Sequence, residues 1–158
     1  MKNRSVTLGF VVLFALVAVV MAVVSVKLSP LDQSNAAFVV EEPYLRSTMT
    51  TSTTGAAFLV LRNMTGTDDL LVGVGSEAAD RVELHTHTQD ANGVMRMSEI
   101  EGGVPLADGD DHAFARGGDH LMFMGLKEPL TQGQLVPVIL VFEQAGDIEI
   151  TIPVDLTR

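Results

Sequence analysis

The chain contains no cysteine. That excludes disulfide stapling, a thiolate metal ligand and a thiol nucleophile, so the folded core must suffice by itself. Basic residues are scarce as well. Three of the ten, Lys2, Arg4 and Lys27, flank an N-terminal apolar run, leaving seven basic against twenty acidic residues and a net charge of −13 for the rest. Nucleic acid and anionic lipid headgroups are therefore poor partners, whereas metal cations and basic protein surfaces suit this balance. An acidic surface also serves plain solubility.

A third absence is that of charge between Arg4 and Lys27. Leu8 to Val26 is almost wholly aliphatic, long enough as a helix for the roughly 30 Å hydrocarbon core of a bilayer, and longer than the roughly 7–15 residues of a signal-peptide core. The length favours an uncleaved membrane anchor over 1–28. Ser34-Asn35-Ala36, a small-residue pattern beyond the run, keeps a cleaved signal as the alternative. Lys2 and Arg4 place the N-terminus in the cytoplasm by the positive-inside rule. The remaining chain is then expected on the periplasmic side of the cytoplasmic membrane, anchored, or soluble in the periplasm after cleavage.

Residues 29–35 read as a linker and 36–158 as one domain. No segment of that domain keeps a 3.6-residue apolar period for three turns. Short apolar runs follow one another instead: Ala36 to Glu42, Ala56 to Arg62, Leu70 to Val74, Arg81 to His87, Val94 to Ser98, His112 to Arg116, His120 to Met124, Val136 to Phe142 and Ile148 to Val154. Most are β-branched or alternating and are separated by Gly, Asp, Asn or Pro turns, with Ser47 to Thr54 a loop. The pattern is that of an all-β sandwich or barrel of eight or nine strands, preceded by one N-terminal hydrophobic helix. Pro137 and Pro153 within strand-like runs point to edges or strand ends.

Against these absences stand methionine and histidine. In Arg81-Val82-Glu83-Leu84-His85-Thr86-His87, alternation sends Val82 and Leu84 to the core and both histidines to the other face. Met95 and Met97 share a face, as do His120, Met122 and Met124. His85, Met97, His120 and Met122 together offer two imidazoles and two thioethers. Thioethers are soft and neutral, so this set selects Cu(I) over Mg²⁺, Ca²⁺ or Zn²⁺. By spacing alone, methionine on a strand is more often core filler and a lone histidine a surface residue. His87 reads as a solvated histidine or a spare Cu(II) ligand, His112 as a loop residue, and Met95 and Met124 as packing beneath the site.

Val82-Glu83-Leu84-His85, Gly93-Val94-Met95-Arg96-Met97, His120-Leu121-Met122-Phe123-Met124-Gly125-Leu126 and the stretch from Val136-Pro137-Val138 to Glu143 resemble the periplasmic copper chaperone family PCuAC. So do Gly55-Ala56-Ala57-Phe58 and Leu61-Arg62-Asn63. That family has His, an optional adjacent Met, ten residues, Met, twenty-one residues and then His-x-Met. Here His85 and Thr86 are followed by ten residues and Met97, while twenty-two residues precede His120. The extra residue is expected in a turn, at Ala107 to Asp111 or Gly117 to Asp119. The resemblance implies a cupredoxin-like (Ig-like) β-sandwich that carries one Cu(I) on His85, Met97, His120 and Met122. It further implies delivery to an acceptor protein, cytochrome c oxidase or a co-chaperone, for copper-centre assembly.

Electron transfer of the blue-copper kind is excluded because it needs a Cys thiolate. No paired-carboxylate, nucleophile–base or open three-histidine signature marks an enzyme. The competing expectations are a metal-free exported interaction module and a copper buffer or store without specific transfer.

Overall fold

The computed structural model describes residues 38–49, 51–89 and 91–158. The expected anchor (1–28) and linker (29–35) lie outside these residues, as does the expected start of the first strand at Ala36. No helix among the described residues is long and apolar enough to cross a membrane.

Ten strands are described: β1 (Phe38–Arg46), β2 (Thr54–Asn63), β3 (Asp69–Gly75), β4 (Ala79–Gln89), β5 (Met95–Glu99), β6 (Val104–Leu106), β7 (Asp111–Phe114), β8 (His120–Leu126), β9 (Leu135–Phe142) and β10 (Gly146–Pro153). Nine coincide with the apolar runs. The tenth, β6, is three residues, Val-Pro-Leu, too short to display an alternation. His112 belongs to β7 rather than to a loop.

The strands form two sheets. The larger has the order β1-β2-β8-β4-β5, with β7 also paired to β2, and the smaller the order β10-β9-β3-β6. Alternation builds the core between them. Ala57, Leu59 and Leu61 of β2, Val82 and Leu84 of β4, and Leu121 and Phe123 of β8 are buried from one side. Val136, Val138, Leu140 and Phe142 of β9 are buried from the other, and the rings of Phe38 and Phe142 stack with centroids 4.0 Å apart. Burying such a side chain contributes about 1.5–3 kcal/mol, so the core needs no covalent staple.

Two buried polar residues fasten the turns. The Asn63 amide donates to the carbonyls of Thr67 and Leu106 at 2.8 and 2.9 Å, while its oxygen accepts from the Thr65 amide at 3.0 Å. The Asp69 carboxylate accepts from the amides of Gln144 and Ala145, both at 2.9 Å, and so ties β3 to the β9–β10 turn. Both residues are saturated, which is the condition for burying them without penalty.

Pro153 ends an edge strand, as expected. Pro137 lies in β9, an interior strand, but beyond its last partner in β3, the Ile139–Gly75 pair. The N–H it lacks therefore breaks no ladder on that side.

Candidate metal centre

The histidines and methionines of interest lie on the outer face of the larger sheet. β4 and β8 are adjacent, with His85 directly opposite His120 and Glu83 opposite Met122. β5 closes on β4 with His87 opposite Met97 and Glu99 opposite His85. On the other side of β8, Ala56 of β2 faces Met122. Core-facing Leu84, Leu121 and Phe123 anchor the same strands from below.

A local break in the sheet shapes the site. β8 pairs with β2 over Thr54–Ala57 and β7 pairs with it over Leu59–Arg62, so the chain between β7 and β8 leaves the sheet opposite Phe58. The excursion, residues 115–119, is fastened by His112, whose Nε2 lies 2.9 Å from the Asp119 carboxylate. Arg116 and Gly117 come to line a cavity of about 300 Å³ together with Phe58, His87, Met97, His120 and Met122, among others. Three of the four expected ligands thus share one cavity.

His120 is 2% exposed although it points away from the core. His87 stacks on it with ring centroids 4.8 Å apart, His85 presents an edge at 6.0 Å and Phe58 lies at 6.2 Å. Its Nδ1 is 3.1 Å from the Gly118 carbonyl. A carbonyl only accepts, so Nδ1 carries the proton and Nε2 is left with a free lone pair. Burial holds the His120 pKa below its ordinary value, outweighing the opposing Gly118 hydrogen bond, and the neighbouring His87 and His85 push in the same direction as burial. The ring is therefore neutral at neutral pH, the form that binds metals.

His85 sits outside the cavity lining but beside it. Its Nε2 is 2.8 Å from Glu83, whose other oxygen takes the Arg81 guanidinium at 2.8 Å. Nδ1 of His85 is buried and has no hydrogen-bond partner. An orphaned buried acceptor costs about 1–3 kcal/mol, and the arrangement, one nitrogen on a carboxylate and the other free, is how metal-binding histidines are oriented.

His87 lines the cavity and faces Met97 across the ladder. The surface-histidine reading is corrected by this placement. The signal was available in the alternation, which put His87 on the face of His85. Met97, on edge strand β5, is 48% exposed, and Met95 is 53% exposed and packs beneath nothing. Met124 is partly buried, and its sulfur accepts from Arg81 at 3.6 Å. The expectation that Met95 underlies the site fails because all five residues of edge strand β5 are exposed, whereas Met124, partly buried on β8 beside Arg81, is compatible with packing there.

Among the described residues no three of His, Asp and Glu converge closely enough to hold an ion by themselves. The further donors at hand are the thioethers of Met97 and Met122, which line the same cavity as His120. The donor set is soft, and it fits a copper ion better than a hard cation.

Comparison with known proteins agrees with the fold that carries this site. A family model described as "Putative lipoprotein LpqE-like" matches residues 38–154. "Putative lipoprotein Lxx21020" of Leifsonia xyli subsp. xyli (strain CTCB07) is 36% identical over 99 residues, 63% of this chain, and the match spans 59% of that protein's length. Among solved structures, the apo PCuAC domain from PmoF1 superposes with a TM-score of 0.63 at 25% identity, covering 76% of this chain and 94% of that domain. Cu(I)-DR1885 from Deinococcus radiodurans gives a TM-score of 0.55 at 25% identity, covering 75% and 79%. The resemblance to PCuAC read from the ligand residues is thus met in three dimensions.

Proposed function

The chain belongs to the LpqE-like family, and from that footing we propose that it is an exported copper chaperone that carries one Cu(I) on His85, Met97, His120 and Met122. The observation that carries this reading is the pair of imidazoles opposite one another on β4 and β8, each tethered through one nitrogen and free at the other. The thioethers of Met97 and Met122 flank the cavity beside them. Copper-bound relatives of the same fold, including the Cu(I) form of DR1885, support the choice of ion.

Low, flexible coordination suits delivery. Each ligand can be replaced singly by a donor of the acceptor, and Met97, half-exposed on an edge strand, is the natural first to leave. His120, buried and held by the Gly118 carbonyl, is the last. The acceptor is a protein of copper-centre assembly, such as cytochrome c oxidase or a co-chaperone. In this reading the apolar run over 1–28 exports the domain to the periplasmic side of the cytoplasmic membrane and holds it there, with a soluble periplasmic domain after cleavage as the alternative.

His87 supports a second arrangement, in which it takes the place of His85, because it lines the cavity opposite Met97. The test is an anaerobic titration of the chain in neutral detergent with Cu(I) against a chromophoric chelator. One ion should bind, and the His120→Ala, Met122→Leu double variant should lose it. Binding indifferent to that variant, or none, would leave an exported β-sandwich interaction module. Tight binding without release to any acceptor would indicate copper storage.

A further inference from the structure

The charge at the cavity runs against the charge of the chain. Outside the apolar run the protein carries −13, yet the charged residues lining the cavity, histidines aside, are Arg46 and Arg116, with no carboxylate among them. A second concavity, of about 290 Å³, shares Phe58 and Arg116 with the first and adds Tyr44, Glu42 and Arg158. Glu42 is spent on Arg158 at 3.4 Å, and the Arg158 guanidinium lies 4.7 Å from the Tyr44 ring centroid. Among side chains, the double concavity thus gathers three guanidinium groups and one carboxylate.

These cations are differently committed. Arg46 donates to the backbone carbonyl of Arg158. Arg116 is exposed on the 115–119 excursion and forms no ion pair among the described residues. A rim of this sign repels a free metal cation and attracts an anion. The patch is larger than a small anion requires, and the Tyr44 and Phe58 rings, 5.1 Å apart, give it an apolar floor. Those are the features of a surface for a peptide segment rather than for a single ion.

We propose that Arg116, with Arg46 and Arg158, forms the docking rim for an acidic segment of the copper acceptor. The inference rests on the copper reading of the adjoining cavity. Guanidinium groups pair with carboxylates in fixed geometry, and the acidic remainder of the surface would repel the same partner at other approaches. Attraction at one patch and repulsion elsewhere sets orientation as well as encounter. The acceptor's own copper ligands would then meet the cavity from the side of the rim.

Two measurements on the chain in neutral detergent test this. In the first, the metal-free protein is titrated with hexaglutamate, hexalysine or sulfate and followed by amide NMR. Saturable shifts at Arg46, Phe58, Arg116 and Gly117 with hexaglutamate only, lost in the Arg46→Gln, Arg116→Gln double variant, are expected. No shifts, scattered shifts, or equal shifts with sulfate would overturn the proposal, the last in favour of a small-anion site.

In the second, the copper-loaded chain gives up its ion to anionic bathocuproine disulfonate or to uncharged bathocuproine. Arg116→Gln should slow the first transfer by roughly threefold or more and leave the second unchanged. Lys127→Gln, away from both concavities, should alter neither. Equal effects on the two chelators would refute the docking rim while leaving copper binding intact. Hexaglutamate binding by a chain that takes up no copper would refute the acceptor role together with the copper reading.

Discussion

At the scale of single residues, His120 and the two histidines beside it set the measurable chemistry. Burial lowers the His120 pKa from its ordinary 6.5. The unfolded chain therefore takes up its proton at a higher pH than the folded one. Stability of the metal-free protein should be unaffected by this group above 6.5 and should fall as the pH drops from there toward the lower folded value. Urea unfolding from pH 7.5 to 5 should show a steeper loss in the wild type than in His120→Gln. Copper competition should weaken over the same acid range, because protonation removes the lone pair. The choice between His85 and His87 is decided by single alanine variants in the Cu(I) titration. His85→Ala should cost tenfold or more in affinity, as losses at or beside a metal ligand commonly do, and His87→Ala much less. The reverse ranking would establish the arrangement built on His87.

At the scale of the strand, alternation in Arg81 to His87 and in His120 to Met124 was enough to separate core from site face, and it recovered nine of the ten strands in outline. What it does not encode is the offset between neighbours. Family spacing pairs His85 with Met97, but the β4–β5 ladder sets Met97 against His87 and Glu99 against His85. That register is fixed by the geometry of the connecting turn, which no period-2 pattern reports. The break between β7 and β8 is similarly invisible, because it consists of two short strands sharing one partner. Gly125 on β8 shows how closely the same element is fitted. Its φ is +68°, and a Cβ there would collide with the Asp80 carboxylate of β4. Gly125→Ala should cost about 2 kcal/mol or more, combining a left-handed backbone penalty of about 1–3 kcal/mol with that collision. Equilibrium unfolding in urea provides the check, and loss of Cu(I) binding should accompany it through the displaced His120 and Met122.

At the scale of the whole molecule, the acidic composition and the basic cavity rim belong to one surface, and neither was readable from the other. Net charge was legible in the sequence; the gathering of Arg46, Arg116 and Arg158 was not, since those residues come from three distant segments that the sheets bring together. The sheet borders carry a further consequence. An open sandwich exposes edge strands that can pair with those of another copy, and proline or charge on an edge prevents it. β1 is bent at Glu42, with φ 49°, next to Pro43, where its register against β2 shifts. β10 presents exposed Asp147 and Glu149 and ends in Pro153, and β6 contains Pro105. β5 and the four-residue β7 have no proline; β5 is the longer and is exposed at every residue, with Arg96 and Glu99 as its charges. Resistance to aggregation therefore has its thinnest seam along β5, on the strand that also bears Met97, so crowded copies of the domain would be most prone to stick together where they expose their methionine.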